Sequence, residues 1–577
     1  MNRNIDSKTA AGRNLMKWAF VPALAFAFAS GASAENKVAV HGSVQADIVF
    51  PETDSEIGAG PYDHKILFNT YADVNLASRY VDAGLRAEFM KWPLPGYEND
   101  FSGWGLSNIY VKGKYKGFDL TAGDFYEQFG SGFILRTYEE RALGIDNSIR
   151  GGRLNVNAIN GVRLTALGGV QRRYWDWSKH SQVYGANAEL YLEQWMPSLR
   201  NHNATWMIGG SYVLKHEDDE DIMLPGVLYV LNLPKFVNAF DVRSSFNKGP
   251  WSVLAEYAWK GQDPSFDNNY TYRHGSAVML SGSYSKKGMS VLMQAKRSEN
   301  MAFRSRRSVQ GISAFINNMP AFAYQHTYAL PALYPYASQY APGEWAFQGS
   351  FSYNFKRKTP LGGRYGTKVT VNASYISSLV HNGNPLAYVP DPNNPGQDVV
   401  INTNMGTNGS SSPFFKMGPS NYFDVNVQIE KRLSAPLQVS FMYMNQFFNN
   451  QVMKIVETDE KYIHTNILVA DVKYKFNRKF TLRGELQYLF SNQDQKDWAY
   501  GLLEFSYNPY LMVTVSDMWN CGETGTHYYM FGVTGSYRSN RLMLSYGRTR
   551  QGFNCSGGVC REVPAMHGFQ VSYTYNF

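Results

Sequence analysis

Hydrophobic and polar residues alternate with a period of two in many segments of this chain. Segments 81–90, 423–430 and 480–490 each place apolar residues at every second position and polar or small residues between them. Successive side chains of a strand point to opposite faces, so each segment has one apolar and one polar face. These segments run to about ten residues, longer than the average strand and long enough to cross a bilayer when tilted.

The connections between these segments alternate between short and long. Residues 116–117 and 538–540 are short turns, and Asn160-Gly161 is the strongest hairpin signal because a type I′ turn requires two positive φ angles. Long connections such as 217–235 lie between the short ones. This alternation predicts an all-β fold, a transmembrane antiparallel up-and-down β-barrel with long surface loops and short periplasmic turns. We expect about 24 strands, within a range of 22–26.

The two ends of the chain agree with an exported barrel. Residues 1–34 have a basic start, a short apolar run and an Ala-x-Ala site, which predicts a signal peptide cleaved after Ala34. The remaining residues 35–577 are expected to form a single outer-membrane β-barrel domain. The last strand alternates to an aromatic terminus at Tyr573, Tyr575 and Phe577, and this resembles the C-terminal signal by which outer-membrane barrels are recognised.

Composition narrows the protein class further. The chain has 577 residues, of which 15% are aromatic and 18% charged, and its mean hydropathy is −0.36. A helical membrane protein would be far more hydrophobic, and a disordered chain would carry fewer aromatic residues. The net charge of +8 includes four basic residues and one acidic residue of the leader, which leaves +5 for the rest. That charge is too small and too scattered to indicate a nucleic-acid partner.

A barrel of this width raises the question of how its lumen is closed. Twenty-four strands would close a circle about 45–50 Å across, and barrels this wide are usually plugged. The first strand begins near residue 37, which leaves no room for a separate N-terminal plug domain. Loop 300–342 is too apolar for a solvated surface loop, so we expect it to fold into the lumen or to dock on a partner. Loop 378–419 is rich in Asn, Gly, Ser and Pro and is expected to be a mobile surface loop.

Two groups of charged residues are candidate sites. The first combines two Gly residues with many charges, and it would form either a solute-selecting constriction of the lumen or a salt-bridge brace of the wall. The second could bind lipid phosphates or an anionic polysaccharide, or could simply be a solvated basic rim. The first group consists of Arg136, Glu139, Glu140, Arg141, Asp146 and Arg150, and the second of Arg297, Arg304, Arg306 and Arg307.

The cysteines predict one disulfide, and the sequence contains no recognised catalytic motif. Cys555 and Cys560 flank two glycines in an export-compartment protein, which predicts a disulfide that closes a surface loop. The alternative of a metal site has only His567 as a nearby further ligand, and Cys521 is expected to be a free thiol. Recognised hydrolase, metalloprotease, phosphate-loop and dinucleotide motifs do not occur, so we expect no enzyme, no cofactor and no metal.

The chain resembles an uncharacterised family of Bacteroidota-type outer-membrane β-barrel proteins. The resemblance rests on residues 124–132 with 136–151, on 325–328 with 333–336, and on Cys555–Cys560 followed by 561–565. It implies an outer-membrane protein of a Gram-negative-type cell whose relatives often work with surface lipoproteins or with assembly and secretion machinery. It brings no catalytic or ligand residues.

Two functions therefore remain open. The first is a plugged channel or transport barrel of the cell envelope. The alternative is a non-enzymatic structural subunit of an outer-membrane assembly, secretion or surface-lipoprotein complex. The expected partners are outer-membrane lipid, the barrel-assembly machinery for insertion, and surface lipoproteins or another barrel.

Overall fold

The structure is a computed structural model that describes most of the chain. The described residues are 38–177, 180–224, 229–383, 387–390, 397–401, 403–454, 460–556 and 559–577. The predicted signal peptide, with its cleavage site after Ala34, lies outside the described residues.

Twenty-four strands form one closed antiparallel sheet, which confirms the predicted fold class and strand number. Each of these 24 strands pairs with the next of the 24 along the chain. The last pairs with the first, with Ser43 opposite Asn576 and Glu52 opposite His567. The strands of the described chain are β1 (Ala39–Glu52), β2 (Leu67–Ala77), β3 (Val81–Met90), β4 (Gly103–Tyr115), β5 (Phe118–Phe125), β6 (Glu139–Glu140), β7 (Ile145–Asp146), β8 (Ile149–Val156), β9 (Val162–Gln171), β10 (Ser181–Tyr191), β11 (Ala204–Glu217), β12 (Phe236–Lys248), β13 (Trp251–Lys260), β14 (Gly275–Lys286), β15 (Met289–Glu299), β16 (Glu344–Phe355), β17 (Thr367–Leu379), β18 (Ala387–Pro390), β19 (Asp398–Ile401), β20 (Met417–Arg432), β21 (Leu437–Asn449), β22 (Tyr462–Lys475), β23 (Phe480–Phe490), β24 (Trp498–Tyr507), β25 (Leu511–Asn520), β26 (His527–Tyr537), β27 (Asn540–Thr549), β28 (Gly552–Ser556), β29 (Val559–Val563) and β30 (Met566–Asn576).

Six of these strands lie outside the barrel wall. They form three small hairpins, β6 with β7, β18 with β19 and β28 with β29, all within long connections. Helical structure in the described chain is limited to two five-residue α-helices and four 3-10 turns. These are α1 (Pro197–Asn201) and α2 (Asn450–Lys454), with turns at Asn99–Phe101, Arg141–Leu143, Leu192–Gln194 and Phe266–Asn268. Among the described residues, no helix has the length and apolar character needed to span a membrane.

The short and long connections lie at opposite ends of the barrel. Consecutive wall strands are antiparallel neighbours, so their connections alternate between the two ends. One end carries tight turns such as 116–117 and 249–250, together with both ends of the described chain, at β1 and β30. The other end carries the long connections, of which 300–343 and 380–416 are the longest. We call these the short-turn end and the long-connection end.

The period-two pattern seen in the sequence sets which side chains face outward. In β22, Ile463, Thr465 and Ile467 are buried, while His464 and Asn466 between them are exposed. In β23, Leu486 is exposed outward, while its neighbours Glu485 and Gln487 are buried inward. The outer face is therefore apolar and aromatic. Part of the inner face is also apolar, because it packs against chain that lies within the barrel.

Strands β8 and β9 approach each other more closely than ordinary side chains permit. A Cβ atom added at Gly151 would lie 2.0 Å from the Gly168 carbonyl oxygen and 2.6 Å from the Gly169 Cα. Both contacts are with backbone atoms of the neighbouring strand, which cannot rotate away. Gly152, the next residue along β8, has open space around its Cβ position.

We expect Gly151→Val to lower the free energy of unfolding of the barrel by about 1–3 kcal/mol, because overpacking a close contact displaces the neighbouring strand. Gly152→Val is the matched control and should leave stability near that of the wild type. Urea unfolding of the reconstituted barrel measures both variants. Equal stability of the two variants would contradict the close-approach explanation.

Candidate functional site

Two long connections lie inside the barrel, at the level of the long-connection end. We call residues 126–148 segment A and residues 300–343 segment B. The largest buried cluster of the described chain contains residues of both segments together with inward-facing residues of wall strands from most of the circumference. Only residues that lie in the lumen can contact so many wall strands at once. From segments A and B the cluster includes Phe129, Phe133, Ile134, Leu135, Met301, Phe303, Ile316, Met319, Phe322, Leu330, Leu333, Tyr334 and Tyr336, and from the wall Val183, Val213, Ala258, Ala346, Ile376, Met444, Ile467, Leu489 and Trp498.

Segments A and B bind each other through main-chain and amide hydrogen bonds. The Arg136 N–H donates to the Ile316 carbonyl over 2.8 Å, and the Asn318 N–H donates to the Gly132 carbonyl over 3.1 Å. The buried Asn317 amide donates to the Phe133 carbonyl of segment A over 2.9 Å. The two segments therefore form one folded unit within the lumen.

Buried lysines of the wall bind the backbone of segment B. Lys260 on β13 donates to the Ala302 carbonyl, and Lys296 on β15 donates to the Pro320 carbonyl over 2.6 Å. The Lys296 ammonium also lies 2.7 Å from the buried Glu344 carboxylate. A buried ammonium is costly unless it is paired and hydrogen-bonded, so each lysine both needs and stabilises segment B.

Segment B continues through the lumen to wall strands farther around the barrel. The Leu330 N–H donates to Gln487 on β23 over 2.9 Å, and Gln446 on β21 donates to the Tyr334 carbonyl over 3.0 Å. Close to the long-connection end, Arg550 donates to the Leu333 carbonyl. Segment B thus contacts wall strands in several parts of the barrel.

The first predicted charge group lies where segment A meets strands β2 and β3. The structure brings Glu139, Arg141 and Asp146 together, and it adds Asp73 and Arg86 from the wall. Arg141 contacts Glu139 at 2.6 Å and Asp73 at 3.0 Å. Arg86 contacts Asp73 at 2.6 Å, Glu139 at 2.8 Å and Asp146 at 3.5 Å. The group is thus an ion-pair network between segment A and the wall.

Two further residues complete this network. Arg172, which is almost fully buried, contacts both Asp146 and Glu88, the latter at 2.8 Å. Burial raises the pKa of Asp146, but the neighbouring Arg172 and Arg86 outweigh it and hold that pKa below its usual range. For Glu139 the burial effect is larger than the effect of Arg86 and Arg141, so its pKa is raised.

The other members of that predicted group lie apart from the network. Arg150 on β8 pairs with the buried Asp124 at 2.8 Å. The Arg136 guanidinium lies over the Tyr138 ring at 5.2 Å. The Glu140 carboxylate accepts hydrogen bonds from the Ala142 N–H and from Ser556.

The predicted basic group on loop 300–342 and its strand is paired within the chain, and Arg297 is covered on the outer face of β15 by the Ser412 and Phe414 carbonyls. Arg297, Arg304 and Arg307 are at most 3% exposed. Their guanidinium groups contact Glu299 at 2.8 Å, Asp267 at 2.7 Å and Glu217 at 3.0 Å. Arg306 is partly exposed and contacts Asp176 at 2.8 Å. Arg304 and Arg306 join segment B to neighbouring connections and Arg307 joins it to β11, whereas the pair of Arg297 and Glu299 lies within β15.

A disulfide joins Cys555 and Cys560, as predicted. It connects β28 and β29, and this hairpin lies against segment A through an Asn554 hydrogen bond to the Ala142 carbonyl of 3.1 Å. Within the described chain, Cys521 is a free cysteine of intermediate exposure.

A cavity of about 290 Å³ separates the β28 hairpin from segment B. Its lining includes Tyr324, His326, Tyr336 and Asn554. The His326 Nε2 lies 3.2 Å from the Asp424 carboxylate. Among the described residues, no group of three or more His, Cys, Asp or Glu side chains is arranged as a metal site.

Below segments A and B the lumen is open to water. The inward-facing Asp471 and Arg483, which lie toward the short-turn end, have side chains 15% and 27% exposed, whereas Ile463 and Ile467 farther along β22 are fully buried. The barrel interior is thus filled at the long-connection end and forms a polar cup at the short-turn end.

Part of the predicted loop 378–419 contacts a neighbouring long connection. The Thr407 carbonyl accepts a hydrogen bond of 2.8 Å from the Tyr272 N–H, so that part of the loop lies on the 261–274 connection. The mobility of the loop stays a prediction.

The predicted C-terminal signal lies at the seam of the barrel. Tyr573 and Tyr575 lie on β30, which pairs with β1, and the Phe577 N–H donates to the Gly42 carbonyl on β1.

Sequence reasoning missed the wall residues that bind segments A and B. Asp73, Glu88, Lys260 and Lys296 of the wall were not singled out, nor was Arg172, which directly follows β9. Arg86 and Glu88 could have been found, because both lie on the polar face of the predicted strand 81–90 and such faces point inward. The lysines carry no comparable signal.

No curated protein matches the chain. Among solved structures, OccAB3 of Acinetobacter baumannii is 10% identical with a TM-score of 0.35, over 94% of this chain and 100% of that one. The translocation pore of the P pilus usher PapC is 9% identical with a TM-score of 0.38, over 94% and 99%. The siderophore receptor PirA of Pseudomonas aeruginosa is 10% identical with a TM-score of 0.38, over 93% and 80%.

A model of one protein family matches almost the whole chain. The match covers residues 15–577, and the family is described as a family of unknown function (DUF6029). By this match, the chain belongs to the DUF6029 family of unknown function.

Proposed function

We propose that this protein is a plugged transport barrel of an outer membrane, in which segments A and B form the plug. The observation that carries the proposal is the single buried cluster that joins both segments to inward-facing residues of wall strands around the barrel. A wide barrel without such filling would breach the permeability barrier of its membrane.

The outer wall supports a membrane location. Leu120, Met293, Leu486 and Leu503 all point outward, and each is more than half exposed. Apolar surface of this extent is unfavourable in water, whereas hydrocarbon surrounds the outward face of a transmembrane barrel.

The chemistry of the plug supports a transport role. Segment B has little regular secondary structure, and side chains of the wall satisfy its carbonyl groups. The neutral hydrogen bonds of its central part, such as those with Gln446 and Gln487, can be exchanged for hydrogen bonds with water one by one, at a net cost of about 0.5–1.5 kcal/mol each. A rearrangement of segment B would therefore connect the cavity beside His326 with the polar cup below it, without unfolding the wall.

We assign the ion-pair network on segment A to bracing. Three arginines, Arg86, Arg141 and Arg172, face four carboxylates, so the charges of the network nearly cancel. A constriction that selects solutes would present uncompensated charge to the lumen. The bracing assignment implies that segment A stays attached to β2 and β3 when segment B moves.

Replacement of residues 312–338 by a short Gly-Ser linker should open the barrel, because it removes the part of segment B that spans the lumen. We expect small, closed-state currents from the wild type and stable conductance steps from the variant in planar bilayers. Shortening of 384–401 in the neighbouring long connection is the control and should leave the wild-type currents unchanged. A correctly folded deletion variant that conducts no more than the wild type would contradict the plug.

Asp146→Asn leaves Arg172 and Arg86 without one of their carboxylates. We expect a loss of about 3–5 kcal/mol in the free energy of unfolding, since breaking a buried ion pair leaves an uncompensated charge. Glu140→Gln is the control, since the Glu140 carboxylate contacts no cation in the described chain. Normal folding of Asp146→Asn with altered ion selectivity would favour a constriction over a brace.

Leu486→Arg tests the membrane location of the wall. Leu486 points outward near the middle of β23, so we expect a loss of about 2–4 kcal/mol in the free energy of unfolding in bilayers. Leu511→Arg lies at the short-turn end of β25, where the same change should cost only about 0–1 kcal/mol. Equal costs at the two positions would rule out a hydrocarbon layer centred on the wall.

A further inference from the structure

The charges of the barrel are divided between its two ends. The short connections contain a single acidic residue, Glu193, whereas the long connections contain more acidic than basic residues. The basic residues of the short connections are Arg79, Lys116, Arg200, Lys287, Lys356, Arg357, Lys358, Arg364, Arg478, Lys479 and Arg538. All eleven are exposed. They surround the rim of the barrel at the short-turn end, and we call them the basic rim.

Carboxylates on the strands beside the basic rim do not neutralise it. Asp82, Asp119 and Glu430 lie on the strands beside the short connections. They are already bound by strand lysines: Lys114 contacts Asp82 at 2.7 Å, Lys112 contacts Asp119 at 3.3 Å, and Lys368 contacts Glu430 at 2.7 Å. The positive charges of the short connections are therefore left for a ligand.

Aromatic side chains place the basic rim relative to a membrane. Tyr115, Trp251, Phe476 and Tyr537 lie at the short-turn end, and each is more than half exposed. Aromatic girdles of transmembrane barrels lie at the boundary between hydrocarbon and headgroups. The basic rim lies at this boundary or just beyond it, at the level of lipid headgroups.

One part of the basic rim forms a cleft of about 760 Å³. Tyr353, Phe355 and Tyr365 supply apolar surface, and the Arg432 guanidinium lies 5.5 Å from the centre of the Tyr365 ring. Of the charged residues that line it, Lys287, Lys356 and Arg357 lie at the short connections and Lys431 has the outward parity of β20, whereas Lys368, Arg432 and the acidic Glu430 occupy lumen-facing positions of their strands. Guanidinium and ammonium groups bind phosphate oxygens strongly, and the aromatic wall suits the glycerol and upper acyl carbons of a lipid.

We propose that the basic rim binds the headgroups of anionic phospholipids in the leaflet at the short-turn end, and that this cleft is its strongest site. A ring of charge around the circumference fits a lipid surface better than one protein partner, which would contact one side. This inference shares only the membrane location with the proposed function. Conductance therefore tests the plug, and lipid binding tests the basic rim.

The test measures phosphatidylglycerol retained by the full-length barrel. Wild-type protein is reconstituted in phosphatidylethanolamine nanodiscs with a minor fraction of phosphatidylglycerol, extracted in mild detergent, and analysed for bound lipid by mass spectrometry. We expect phosphatidylglycerol to be enriched over the bulk ratio, and the enrichment to fall at high ionic strength. Replacement of Lys287, Lys356, Arg357 and Lys431 by Ser should reduce the enrichment, by about fivefold for each charge removed.

A matched variant carries the same loss of charge at the other end. Replacement of Lys65, Lys91, Lys416 and Lys461 by Ser removes four exposed lysines from the long-connection end and should retain the wild-type enrichment. Should the fourfold cleft variant fail to fold, Arg357→Ser alone should still lower the enrichment about fivefold.

Three outcomes would overturn the proposal. One is equal lipid enrichment in the cleft and control variants. Another is full displacement of the retained lipid by inorganic phosphate, which would identify a free-anion site. The last is an absence of lipid enrichment together with binding to isolated peptidoglycan that is lost in the cleft variant.

Discussion

The width of the closed sheet is the constraint on which the rest of this structure depends. Twenty-four strands enclose more space than their own inward side chains can fill, so the interior must hold either water or further chain. This protein fills the part of the lumen next to the long connections with its own segments A and B and leaves the remainder as a polar cup. The inward face of β22 shows that division, with Ile463 and Ile467 beside the segments and Asp471 below them.

Filling a lumen with irregular chain creates a second requirement. Apart from a short antiparallel pairing around Arg304 and Phe315, segment B has no regular ladder to satisfy its buried peptide groups. An unpaired buried peptide group costs free energy. The wall supplies the partners from side chains. Lys260 and Lys296 donate to carbonyls on one side, and Gln446 donates while Gln487 accepts on the other. The buried polar residues of the wall are thus explained by the backbone that they bind.

The two segments differ in how they are attached. Segment A is joined to the wall by charge pairs around Arg141 and Asp146, which are expensive to break one at a time. The central part of segment B is joined mainly by neutral hydrogen bonds and apolar contacts, although Lys296 and the Arg304–Asp267 pair anchor its first part. Under the proposed function, this difference would let the central part of segment B rearrange while segment A supports it. The disulfide hairpin of β28 and β29 lies on segment A and borders the cavity beside segment B, so it belongs with the fixed part.

The strands could be predicted because their information is local. Alternation in 81–90 and 480–490 determines both the strand and the face of each side chain, and short turns such as 116–117 determine the antiparallel order. The apolar character of loop 300–342 also predicted burial, because apolar chain avoids water wherever it lies. The disulfide followed from two cysteines close in sequence and from the export signal.

The remaining features depend on residues that are far apart in the chain. The pairing of Arg86 with Glu139, of Arg172 with Glu88 and of Arg307 with Glu217 needs the closed barrel to bring distant strands and connections together. In the sequence, Arg304 and Arg307 look like an unpaired basic cluster. The carboxylates that surround them, Asp267 and Glu217, are distant in the chain and become neighbours only in the folded barrel. By itself the sequence determined the strands, their faces and the need for filling, because these follow from local periodicity and hydrophobicity. Only the tertiary structure decided which side chains bind the filling, because barrel closure sets those distances.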